Sequence, residues 1–224
     1  MKYLRHILFV CVIVCSTAFA RIDSTETSSS STPTVTTSEV IVSGGIPVAY
    51  LPEEFRRSSM KAWNFGLGYE ISYEPGSIGY SSLLVTAEYN LFRFDATGYT
   101  NYILGGPDSN TVKSNPNFSA SQRPTKIFSL LINYKGTFGA SKKSIAPYFL
   151  LGVGYMYTSV PSLITPPDTA GGSSKSAISW AFGIGVDIPI NDSATLFVQG
   201  KSVLGVMEET RQFFPITGGL RYRF

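Results

Sequence analysis

The sequence predicts an all-β fold: a transmembrane up-and-down antiparallel β-barrel of about eight strands. Three observations carry this. Apolar and polar residues alternate with period two along most of the chain after residue 38, the pattern of extended strands with one greasy face. The greasy faces are dense in bulky aromatics, while the opposite faces carry glycine, alanine and polar residues. Short and long connections alternate, as they do between the two ends of a membrane barrel.

The first residues read as an export leader. Lys2 and Arg5 give a positive start, Ile7 to Cys15 is an apolar run, and Ala18-Phe19-Ala20 closes with small residues at the cleavage positions. The run is too short to span a bilayer as a helix, which needs about 20 residues. A lipoprotein reading would lipidate Cys15, but Val14 stands where a small residue is expected. Cleavage is therefore expected after Ala20. It removes Cys11, Cys15 and the sole histidine, His6. Of 18 basic residues, Lys2 and Arg5 also leave, which against 15 acidic ones gives a net charge of +1. Such a chain has no disulfide and no thiol chemistry. Its balance of charge gives no electrostatic footprint for nucleic acid. Residues 21–37 are Ser/Thr-rich with almost nothing to bury and read as a disordered linker, leaving 38–224 for the barrel.

The strands follow in order. Val40 to Leu51 is the weakest, with two glycines and Pro47. Trp63, Phe65, Leu67, Tyr69 and Ile71 oppose Asn64, Gly66, Gly68 and Glu70. Leu83, Val85, Ala87, Tyr89 and Leu91 oppose Thr86, Glu88 and Asn90. Phe128, Leu130, Ile132 and Tyr134 oppose Ser129, Asn133 and Lys135. Phe149 to Tyr157 alternate with Gly152, Gly154 and Thr158. Ile178 to Ile190 oppose Ser179, Ala181, Gly183, Gly185 and Asp187. Leu196, Val198 and Leu204 oppose Gln199 and Lys201. Phe214 to Phe224 alternate with Thr217, Arg221 and Arg223. A soluble sandwich would turn its apolar faces inward. Segments of about 10 to 14 residues exceed ordinary soluble strands and suit a tilted membrane crossing.

Short connections fall near Pro75-Gly76, Gly136 to Ile145 and Asn191 to Ala194. Longer ones fall near Pro52 to Ser59, Ala96 to Thr125, Ser159 to Ser176 and Met207 to Phe213. Short turns are expected on the periplasmic side, with both termini. Tyr73, Tyr134, Tyr222 and Phe224 then lie near the periplasmic interface, and Trp63, Trp180, Tyr155 and Tyr157 nearer the outer one, as amphipathic rings prefer.

Pro147-Tyr-Phe-Leu-Leu-Gly-Val-Gly-Tyr155, Phe182-Gly-Ile-Gly-Val-Asp-Ile-Pro-Ile190 and the final Gly219-Leu-Arg-Tyr-Arg-Phe224 carry a resemblance. Over residues 38–224 the chain resembles the small bacterial outer-membrane barrel domain of the OmpA/OmpX-like type. The resemblance implies an outer-membrane location, contact with its lipids, and Tyr222 and Phe224 as a C-terminal signal for the barrel-assembly machinery. No separate peptidoglycan-binding domain is expected after the barrel, which departs from full-length OmpA-type proteins and removes the cell-wall anchoring role of such a domain.

The chemistry expected is structural. By alternation Glu70, Glu88, Asp187, Lys201 and Arg221 point inward, with Lys135 facing the same interior. Buried charges are paired, so a charge network is expected, with Glu70, Asp187 and Arg221 toward the periplasmic end and Glu88 and Lys201 nearer mid-height. No metal-ligand spacing, phosphate-cradling loop, cofactor site or catalytic set is found. Enzymes on such barrels, by the same resemblance, rely on a histidine, which here leaves with the leader. The expected function is non-enzymatic: a barrel with a side-chain-filled polar interior that acts structurally or through its outer loops on an unidentified extracellular ligand. The alternatives are a narrow pore for small solutes and, third, a lipid-modifying enzyme.

Overall fold

A computed structural model describes residues 35–73, 79–104, 120–138, 144–165, 168–206 and 210–223. The expected leader, most of the expected linker, the Pro75-Gly76 turn and Phe224 lie outside the described residues.

Eight antiparallel strands close into one barrel. They are β1 (Val35–Leu51), β2 (Ser59–Tyr73), β3 (Gly79–Phe94), β4 (Thr125–Phe138), β5 (Ala146–Val160), β6 (Ser173–Pro189), β7 (Ala194–Val206) and β8 (Arg211–Arg223). Each pairs with its neighbour in sequence, and β1 pairs with β8 to close the ring, Val40 lying opposite Tyr222. Closure leaves no unpaired sheet edge, the condition for strands to cross a bilayer.

One boundary differs from the sequence expectation. β1 begins at Val35, so the last three residues of the expected linker are already strand. Val35 pairs with Tyr73 and Thr37 with Ser72; the ladder with β2 orders these residues where side-chain pattern gives no signal. The loops also hold structure of their own. Helix α1 (Glu53–Ser58) joins β1 to β2, and α2 (Ala96–Leu104) follows β3. A small three-stranded sheet of Ser121–Gln122, Leu163–Thr165 and Asp168–Ala170 stands at the same end. No helix among the described residues is long and apolar enough to cross a membrane.

The alternation is clean. On β2, Trp63, Phe65, Leu67 and Tyr69 are exposed, whereas Asn64 and Glu70 are buried. On β6, Ile178, Trp180, Phe182 and Ile184 are exposed while Ala177, Ser179 and Ala181 are buried. An apolar surface turned outward all round the barrel is the reverse of a soluble sandwich and fits a lipid solvent.

The expected polar interior also holds apolar clusters. Toward the long-loop end Ala49, Ala62, Phe92, Ile127, Leu131, Met156, Ala181, Val203 and Phe213 form one, completed by Phe55 of α1, and buried polar side chains stand among them, with Asn64 Nδ2 donating to Asn90 Oδ1 at 2.7 Å. Inward glycines do not make the interior small. They make room for a large neighbour on the next strand. Gly185 lies opposite Tyr148 and Gly219 opposite Phe197, and a Cβ on either would run into that ring.

Candidate functional site

The lumen contains every charged residue singled out from sequence. At the short-turn end Glu70 of β2, Lys135 of β4, Asp187 of β6 and Arg221 of β8 form a ring of alternating sign drawn from every second strand. Lys135 Nζ lies 3.0 Å from Glu70 Oε1 and 2.7 Å from Asp187 Oδ2. Arg221 Nε lies 3.0 Å from Glu70 Oε2, and Arg221 Nη1 donates to Asp187 Oδ1. Glu70 and Arg221 are each 1% exposed, so these ions depend on one another rather than on water.

Aromatic rings hold the ring of charges from the inner side. The Arg221 guanidinium lies 4.3 Å from the Phe197 ring centroid and 5.1 Å from that of Tyr148. Lys135 Nζ lies 4.8 Å from the same tyrosine. Arg221 Nη2 donates to the Tyr148 hydroxyl at 3.3 Å, and that hydroxyl donates to Gln199 Oε1 at 3.1 Å.

Glu88 of β3 and Lys201 of β7 meet separately, across the barrel from strands that face each other. The five residues expected from sequence are thus brought together as two clusters, with no ion pair between them among the described residues. Glu70, Asp187 and Arg221 all lie within the last residues of their strands before the short-turn end, whereas Glu88 and Lys201 lie well inside theirs.

At the short-turn mouth, Arg223 binds Glu39 through Nε at 3.1 Å and Nη2 at 2.7 Å. A cavity of about 40 Å³ opens there, lined by Glu39, Ser72, Tyr80, Ser82, Thr137 and Arg223 among others. It stops at the charged ring. Beyond the ring, Ser129, Ile127, Leu131, Met156, Ser179, Val203 and Phe213 are all 0% exposed.

The long-loop mouth is closed by a lid. Phe55 packs against Phe92 at 4.8 Å between centroids, Phe92 against Phe213 at 5.7 Å, and the Arg211 guanidinium sits 5.2 Å from the Phe55 ring. α1 is pinned to the start of α2: Asp95 N donates to Ser58 O at 2.7 Å, and Gly98 N donates to Asp95 Oδ1 at 3.0 Å.

Sequence reading missed Glu39, Tyr148 and the lid. Glu39 fell at the edge of the expected linker. Tyr148 was legible: once Phe149 and Leu151 face outward, Tyr148 and Leu150 must face inward. Phe55 gave no signal, because a single aromatic in a charged loop has no periodicity. Tyr222 lies on the outer surface, 52% exposed, and Phe224 lies outside the described residues.

A closed eight-stranded barrel with a greasy outside and a filled, ion-paired inside defines the class: small β-barrels of the outer-membrane type. Of three similar solved barrels, the first carries the likeness in fold, with the others similar at lower scores. Neisserial surface protein A is 14% identical with a TM-score of 0.51, over 85% of this chain and 99% of that one. Ail, the attachment invasion locus protein of Yersinia pestis, is 13% identical with a TM-score of 0.49, over 85% and 100%. The outer membrane enzyme PagL is 12% identical with a TM-score of 0.44, over 81% and 98%. No protein-family model matches the chain, and no curated protein matches it.

Proposed function

We propose that this chain is a non-enzymatic outer-membrane protein whose lumen is a structural plug and whose long-loop end carries its activity, by contact with an extracellular partner. One observation carries the reading: among the described residues the lumen beyond the small cavity at the short-turn mouth is filled by ion pairs, buried polar side chains and apolar clusters. A pore would need a continuous polar path, and eight strands leave room for side chains rather than water. An internal active site would need a carboxylate free to exchange protons. Glu70, Glu88 and Asp187 are instead each held by a cation.

What remains accessible is the long-loop end. Among its described residues α1 is docked on the barrel and α2 on α1, and these segments offer a preorganised surface, which lowers the cost of binding. Signal cleavage after Ala20, and capture by the assembly machinery through Tyr222 and Phe224, belong to the same reading.

Conductance in planar bilayers tests it. A plugged barrel gives a silent bilayer after insertion. Resolved, reproducible current steps from the wild-type protein would establish the pore reading instead.

A further inference from the structure

The outward faces of the eight described strands carry three charged side chains, all cationic: Lys61 on β2, Arg93 on β3 and Lys126 on β4. All three are exposed, and all lie at the long-loop end of their strands. They are also neighbours. Arg93 pairs in register with Met60, and the bulge between Met60 and Ala62 sets Lys61 beside it. Lys126 is opposite Leu91, which places it diagonal to Arg93 on the same face. Directly opposite and diagonal residues on one sheet face stand about 4.5–8 Å apart. No ion pair or hydrogen bond joins any of the three to a described residue.

The rest of the rim is different. At the same end the outward residues of the other strands are Tyr50, Ser159, Ser174, Ser176, Val206 and Gln212. At the short-turn end the outward strand residues are uncharged. Below the cations on the same face lie Trp63, 64% exposed, and Phe128, 40% exposed. Rings of this kind mark the boundary between hydrocarbon and headgroups. Like charges set side by side across strands destabilise a sheet. Three of them, at headgroup depth and without an acid among them, are offset by an anion between them.

We propose that Lys61, Arg93 and Lys126 form a docking site for the phosphate headgroup of an anionic lipid in the leaflet at the long-loop end. The proposal rests on the membrane-spanning reading. The lipid phosphate sits between the three cations, and its acyl chains lie on Trp63, Leu91 and Phe128. One sector of the barrel, β2 to β4, thereby acquires a bound lipid that the opposite sector lacks.

The chain's two tryptophans report the two sectors. Trp63 lies beside the cations, while Trp180 on β6 pairs with Leu204 and Val153. In Trp180→Phe only Trp63 fluoresces, and in Trp63→Phe only Trp180 does. Each full-length variant is inserted in phosphatidylcholine vesicles containing a minor fraction of brominated phosphatidic acid. Quenching is then normalised to that in vesicles of brominated phosphatidylcholine, which corrects for depth.

The expected result is a normalised quenching severalfold greater at Trp63 than at Trp180. The excess disappears in the Lys61→Gln, Arg93→Gln, Lys126→Gln triple variant and falls as salt rises in the parent. Equal normalised quenching at both sites overturns the proposal, as does an excess that persists in the triple variant. A salt-insensitive excess in the parent also overturns it, and that arm does not depend on the triple variant folding. Failure of brominated phosphatidylcholine to quench either tryptophan overturns the membrane-spanning reading itself, together with the docking site.

Discussion

Arg221 meets a partner on every side: Glu70 and Asp187 as ions, Tyr148 and Phe197 as rings. Removing one partner of a buried ion pair costs about 3–5 kcal/mol, because the charge left behind has lost its water. Arg221→Ala leaves Glu70 and Asp187 with Lys135 as their one cation in the ring. Its unfolding free energy is expected to fall by an amount toward the lower end of that range, against about 0.5 kcal/mol or less for a change of exposed Glu54 to Ala. Glu88 and Lys201 offer a cleaner arithmetic, since they meet apart from the ring. Glu88→Gln and Lys201→Met should each destabilise, and the double variant should cost less than the two singles together. Additive costs would mean that the two side chains do not interact.

At the scale of elements, the outward pattern of every strand was legible because lipid demands a continuous apolar surface and alternation displays it. The inward pattern was legible only for charges. Glycines on the lumen face do not say what fills the space they leave, and Gly185 is there because the Tyr148 ring lies across it. A register pair is not visible in one strand's sequence, so the partner's size could not be read. Gly185→Val should displace Tyr148 from Arg221 and lower the unfolding free energy by more than about 1 kcal/mol, the scale of overpacking. The same substitution at Gly200, where a Cβ meets nothing within 4 Å, should be mild. The lid is the other element that no pattern announced. Phe55→Ala removes a buried ring whose loss from a core costs about 3–5 kcal/mol. Its place at the mouth should reduce that figure, and its absence should make α1 the first segment cut by limited proteolysis.

For the barrel as a whole, charged, polar and apolar side chains fill the lumen together. Charges at the short-turn end tie alternate strands across it, and the largest apolar cluster, with Phe55 of α1, lies toward the long-loop end. The central claim is that water does not enter the middle of this barrel. Both native cysteines lie in the first 20 residues, so replacing Cys11 and Cys15 with serine leaves a background free of thiols. Ser129 and Ser179, both 0% exposed, then become single reporters as Ser129→Cys and Ser179→Cys, with Ser176→Cys at the exposed end of β6 as the control. The decisive measurement is the rate at which a small water-soluble thiol reagent labels each variant in lipid bilayers. A closed lumen leaves Ser129→Cys and Ser179→Cys unlabelled until the protein is unfolded, while Ser176→Cys reacts at once. Labelling of the two lumen cysteines in the folded barrel at a rate near that of Ser176→Cys would contradict it.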